Sequence, residues 1–135
     1  MSILAAIDRD PGIEKVIETA DELATGLDEE LIFLHVVSEG NQVDKARSEV
    51  EGILEDVLGS MEGVELRVAE AMSRRDVPSG RMADRILKTA DDVDARYIVV
   101  GSRKQTPVGK VMLGSVAQLV LVNAKVPVVT VEQTE

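Results

Sequence analysis

The chain has 135 residues, 15 Lys and Arg against 25 Asp and Glu for a formal net charge of −10, one His and no Cys. Without Cys it cannot be a disulfide scaffold, and with 44% hydrophobic residues it has the apolar content for a core rather than for disorder. No apolar run nears the roughly 18–20 residues of a membrane span, Met1-Ser2-Ile3-Leu4 has no signal-peptide lead, and surface acids repel nucleic-acid phosphates; a single cytoplasmic domain over 1–135 is expected.

Ile3 to Ile7 is a short apolar run, the pattern of a strand buried on both faces. Asp10-Pro11 offers an N-cap and a first-turn proline, and Ile13, Val16, Ile17, Ala20, Leu23, Ala24 and Leu27 follow at helical spacing. Leu31 to Val37 is a second buried-strand run, and Ser38 to Asn41 is a loop. A second helical stripe runs from Val43 to Leu58, and Val64 to Ala69 alternates like a strand nearer a sheet edge. Ser73 to Gly80 is a polar loop holding Pro78 together with Arg74 and Arg75, both expected in solvent. Met82 to Val93 carries a third stripe, and Tyr97 to Val100 is a buried strand ending at Gly101. Residues 101 to 113 look irregular, Val116 to Leu121 belong to a fourth helix, and Val126 to Val131 is the last strand. The order βαβαβαβαβ predicts an α/β fold with a largely parallel sheet and helices on both faces. Ligands of such sheets bind beyond the carboxyl ends of the strands, at the switch point.

The charge is unevenly placed along the chain. Between Ala95 and Val131 there is no acid, only Arg96, Arg103, Lys104, Lys110 and Lys125, so this stretch is +5 and the other 98 residues sum to −15. The basic stretch reads either as a chance gap in acids, helped by two buried strands that exclude charge, or as an anion site on an acidic body. The acids crowd helix faces, as in Asp28-Glu29-Glu30 and Asp91-Asp92. They are expected to be an adaptation to high salt, where surface carboxylates keep a protein hydrated, and so to indicate a halophilic source. Stability should then rise with KCl concentration; an unfolding curve identical in low and molar KCl would refute this.

Several catalytic templates are missing. The first turn reads Asp8-Arg9-Asp10-Pro11-Gly12 rather than GxGxxG, and Gly109-Lys110 is followed by Val111 rather than Ser or Thr. One His and no Cys cannot make a zinc site, and His35 lies inside an apolar strand run, as a satisfied core residue would. What remains is Gly101-Ser102-Arg103-Lys104, nine residues, then Gly114-Ser115. A glycine at a strand end, basic residues without acids, and a helix N-terminus with unpaired N–H groups suit a phosphate.

The segment VVGSRKQTPVGKVMLGSVAQLVLVNAKVPVVTV resembles the C-terminal signature of the universal stress protein family, and ILAAID and LIFLHVV resemble that family's first two strands. The resemblance implies a five-stranded parallel sheet in order 3-2-1-4-5, a Rossmann-like α/β fold. It also implies the nucleotide motif G-x2-G-x9-G-[ST], which falls here on Gly101 and on Gly114-Ser115, with Lys104 replacing the second glycine. A side chain there costs about 1 kcal/mol if the backbone must be left-handed, or changes the loop's path.

By the same resemblance Ala6, Ile7, Asp8 and Val36 would hold an adenosine. Gly101, Arg103, Gly114, Ser115 and Val116 would hold the phosphates of ATP, bound with Mg2+ or Mn2+; Val100 precedes this loop, and Lys104 within it could donate charge to a phosphate. No general base offers itself, so any ATPase activity should be very slow, and the protein would act as a stress-response sensor or regulator. The alternative is a dimeric adaptor of the same fold that binds no nucleotide. An enzyme of the adenylate-forming superfamily lacks its HxGH or SGGxDS signature here. The apolar strand 126–131 would lie at a sheet edge, and edges of that kind pair; the resemblance implies a homodimer through it.

Overall fold

The computed structural model describes residues 1–38, 43–71, 78–102, 104–105 and 111–133. Five strands form one parallel sheet: β1 (Ser2–Ala6), β2 (Glu30–Ser38), β3 (Val64–Ala71), β4 (Ala95–Ser102) and the last strand β7 (Val128–Glu132). Their order is β3-β2-β1-β4-β7, the order 3-2-1-4-5 that the resemblance implied. The four helices are α1 (Ile13–Leu27), α2 (Val43–Leu58), α3 (Pro78–Asp92) and α4 (Ser115–Asn123).

The central strands read as continuous apolar runs because both sheet faces are covered. Ile3, Ala5, Phe33 and Val99 point into a core shared with Val16, Ile17 and Ala20 of α1 and Val50 and Leu54 of α2. Leu4, Ile32, Leu34, Ile98 and Val100 point the other way, into a core with Ala83 and Ile86 of α3 and Ala117 and Val120 of α4. One strand thus serves two cores through its period of two. Among the described residues no Asp, Glu, Lys or Arg is buried. The acids of the helix faces lie outside, as the stripes require.

Several elements differ from the sequence expectation: α3 begins at Pro78, inside the stretch read as a loop, and the last strand runs over Val128–Glu132 rather than from Val126 to Val131. Residues 101 to 113, read as irregular, contain two short strands, β5 (Lys104–Gln105) and β6 (Val111–Met112), paired antiparallel with Lys104 opposite Met112. Gly101 lies inside β4, opposite Val131, and the strand continues to Ser102 rather than ending at Gly101. Helix α1 does not begin at Asp10-Pro11. The Asp10 N–H donates to Asp8 Oδ1 at 3.0 Å in a local turn, and the helix is capped instead by Gly12, whose φ of 87° is left-handed and favours glycine.

His35 is only partly satisfied. Its Nδ1 lies 2.9 Å from the Ile7 carbonyl, while Nε2 is buried with no hydrogen-bond partner among the described residues. No described helix is long and apolar enough to cross a membrane.

Candidate functional site

After β1 the chain builds outward through β2 and β3, then returns to β4 on the other side of β1. Helices α1 and α4, which follow β1 and β4 in the chain, pack on opposite faces. The connections therefore diverge, and a crevice opens between the carboxyl ends of β1 and β4.

The crevice contains a cleft of about 500 Å³, its open mouth included. Ala6, Ile7 and Asp8 enter it from the end of β1. The Ile7 N–H donates to the Leu34 carbonyl at 2.9 Å, which extends the β1–β2 ladder and sets Asp8 just beyond it. Val36 of β2 and Val100 and Gly101 of β4 line it, as does Val116 in the first turn of α4. Seven of the sequence-nominated residues therefore converge on one cavity. The sheet register explains this, because Ala6 faces both Leu34 and Val100 across β1.

The remaining four sit differently. Gly114 is the N-cap of α4 and Ser115 its exposed first residue, next to Val116 but outside the cleft lining. Lys104 lies in the β5–β6 ladder, so its backbone pairs in a strand where the motif has a glycine. Arg103 lies outside the described residues, as do Arg74, Arg75 and Lys110.

Leu34, Met82, Ile86, Ala117 and Gln133 complete the lining. Met82 and Ile86 were visible in the sequence only as part of a helical stripe, and one turn of α3 brings both to the cleft. Gln133, after the last strand, had no sequence signal. Its Nε2 donates to Asp8 Oδ1 at 3.0 Å. Among the described residues Asp8 is the one ionisable member of this lining. Aliphatic walls with a single carboxylate suit a flat, uncharged ring bearing hydroxyl or amine donors. At the N-terminus of α4 beside the cleft, the first-turn N–H groups have no partner within the helix, and they and the positive dipole end suit an anion.

The structure splits the basic stretch. Arg96 is the second residue of β4 and pairs with Glu29 at 3.4 Å, and Lys125 lines a different cavity with Asp91, Asp94 and Ala95 at the amino end of the sheet. Only Arg103, Lys104 and Lys110 fall in the chain between β4 and α4. The +5 stretch is therefore not one patch, and at most three of its cations belong to this end. No group of three or more His, Asp or Glu able to hold a metal ion occurs among the described residues.

Residues 1–132 match the model of the universal stress protein family. The chain is 32% identical over 133 residues to a universal stress protein of Mycolicibacterium smegmatis, covering 96% of each. A solved universal stress protein from Archaeoglobus fulgidus superimposes with a TM-score of 0.71 at 30% identity, covering 96% of this chain and 97% of that one. The universal stress protein from Archaeoglobus fulgidus in complex with dAMP gives a TM-score of 0.66 at 27% identity, covering 96% of each chain.

Proposed function

The chain belongs to the universal stress protein family, and on that premise we propose that it binds an adenine nucleotide, ATP with Mg2+ or Mn2+, and acts as a sensor or regulator in a stress response. The observation that carries this reading is the cleft at the carboxyl ends of β1 and β4, whose described lining is apolar except for Asp8 and Gln133 and which adjoins the N-terminus of α4. Adenine would lie against Val36, Val100 and Ile86, with Asp8 accepting hydrogen bonds from the nucleoside. The phosphates would meet the N–H groups of Ser115 and Val116 and the cations of the β4–α4 segment. The divalent ion would be held mainly by phosphate oxygens, since that segment has no carboxylate. The dAMP complex of the Archaeoglobus relative supports an adenine ligand for this fold.

Calorimetry of purified protein with ATP and Mg2+ in high KCl should show saturable binding. No heat of binding at millimolar ATP rejects the proposal.

One observation favours a second reading. Lys104 stands in a strand ladder at the position of a motif glycine, and a loop drawn into a hairpin need not wrap a phosphate. The chain would then be a dimeric adaptor without a nucleotide. Lys104→Gly discriminates: ATP binding that appears only in this variant establishes the adaptor reading for the native chain.

Self-association is part of both readings. Strand β7 is the last in the sheet, and beside it α4 exposes Leu121 and Val122, the latter at 80%. Unpaired edges and apolar patches of this kind seek partners. Sedimentation at micromolar concentration should give twice the 14.6 kDa chain mass. A single species of the chain mass would count against the dimer.

A further inference from the structure

We infer that Gln133 is a positioning residue of the nucleotide cleft, its carboxamide fixing the Asp8 carboxylate at the cleft mouth, and that Gly101 is glycine to make room for that carboxamide. The inference rests on the nucleotide-binding reading and adds a residue to it.

Three observations converge. The Gln133 N–H donates to the Ser102 carbonyl at 3.0 Å, which carries the β4–β7 ladder one residue past the strand and anchors the Gln133 backbone. Its side-chain Nε2 donates to Asp8 Oδ1 at 3.0 Å, and the same oxygen accepts the Asp10 N–H at 3.0 Å. Two donors on one carboxylate oxygen define its orientation, and hydrogen bonds to an ionised acceptor are among the stronger ones. A Cβ placed on Gly101 would collide with the Gln133 carboxamide, lying 3.0 Å from Cδ, and would lie 3.2 Å from Val16 Cγ2. The space beside Gly101 is thus filled by the amide. Residues 101 and 133 are coupled, and Asp8 takes its orientation from both.

The test is adenosine and ATP affinity, measured by calorimetry in high KCl, for the wild type and four variants. Gln133→Met keeps the length of the side chain and removes the donor. It should weaken adenosine and ATP by the same factor, about tenfold, with little change in melting temperature. Gln133→Glu sets a second carboxylate against Asp8. It should bind more weakly still at neutral pH and recover as the pH falls and the pair gains a proton. Gly101→Ala should resemble Gln133→Met, and the double variant should be no weaker than either single one, because both changes remove the same contact.

Additive losses, or a Gln133→Met chain that binds as tightly as the wild type or tighter, overturn the inference while leaving nucleotide binding intact. A wild-type chain that binds neither adenosine nor ATP overturns the nucleotide reading, and the positioning role with it.

Discussion

Phe33→Ala should lower the unfolding free energy by about 3–5 kcal/mol, a fifth or more of the roughly 5–15 kcal/mol of a typical domain. Phe33 is the only phenylalanine of the chain, is fully buried, and occupies β2 between Ala5 of β1 and Leu66 of β3. It shares its core with Val16, Ile17 and Ala20 of α1 and Val50 and Leu54 of α2. Two of these neighbours are alanines, with no side chain to swing into the vacated volume, so most of the cavity should persist. Phe33→Leu keeps most of the apolar volume and should cost less than about 1.5 kcal/mol. Chemical denaturation at one fixed KCl concentration measures both, since screening of the acidic surface would otherwise move the baseline. A loss below about 1 kcal/mol for Phe33→Ala would mean that the α1–α2 layer collapses onto the sheet far more readily than close-packed interiors do.

The same residue shows why the sheet was legible and its surroundings less so. Leu31 to Val37 reads as a strand because neither face meets water, so its one polar residue, His35, is itself buried. The alternation of β3 is legible for the opposite reason, since Glu65 and Arg67 sit at the sheet edge and pair with each other in solvent. Element ends are decided by local competition that composition does not display. Asp10 looked like a helix cap, but its N–H is taken by Asp8, and the left-handed Gly12 starts α1 instead.

The candidate site divides along the same line. Residues at strand ends were found because a parallel sheet brings consecutive strand ends to one rim, so Asp8, Val36 and Gly101 meet by topology. Gln133 was missed because its contact with Asp8 spans 125 positions of chain and depends on β7 packing against β4. The basic stretch misled for the converse reason. Arg96 and Lys125 are neighbours of the loop in sequence, but they sit at the opposite end of the strands.

Ser115→Glu should reduce ATP affinity by at least about 100-fold, with adenosine affinity within about threefold of the wild type. Ser115 opens α4 beyond the N-cap Gly114, which has the extended backbone usual for a cap (φ −66°, ψ 162°) but no side chain to cap the first turn. A carboxylate there faces the positive end of the helix, which favours it by about 0.3–1 kcal/mol, so the fold should hold or gain slightly. The same carboxylate would sit where the proposed phosphates need N–H donors. Like charges about 4 Å apart repel by about 4 kcal/mol at an effective dielectric near 20. High KCl reduces this penalty and lowers the expected loss. Stability and phosphate affinity therefore move in opposite directions, which separates a site effect from a folding defect. Paired titrations with ATP and adenosine, alongside a thermal melt, decide the matter. Equal losses for the two ligands would place the defect in the cleft rather than at the helix end. An unchanged ATP affinity would show that the phosphates do not meet α4, and the β4–α4 segment would then have to hold them without it.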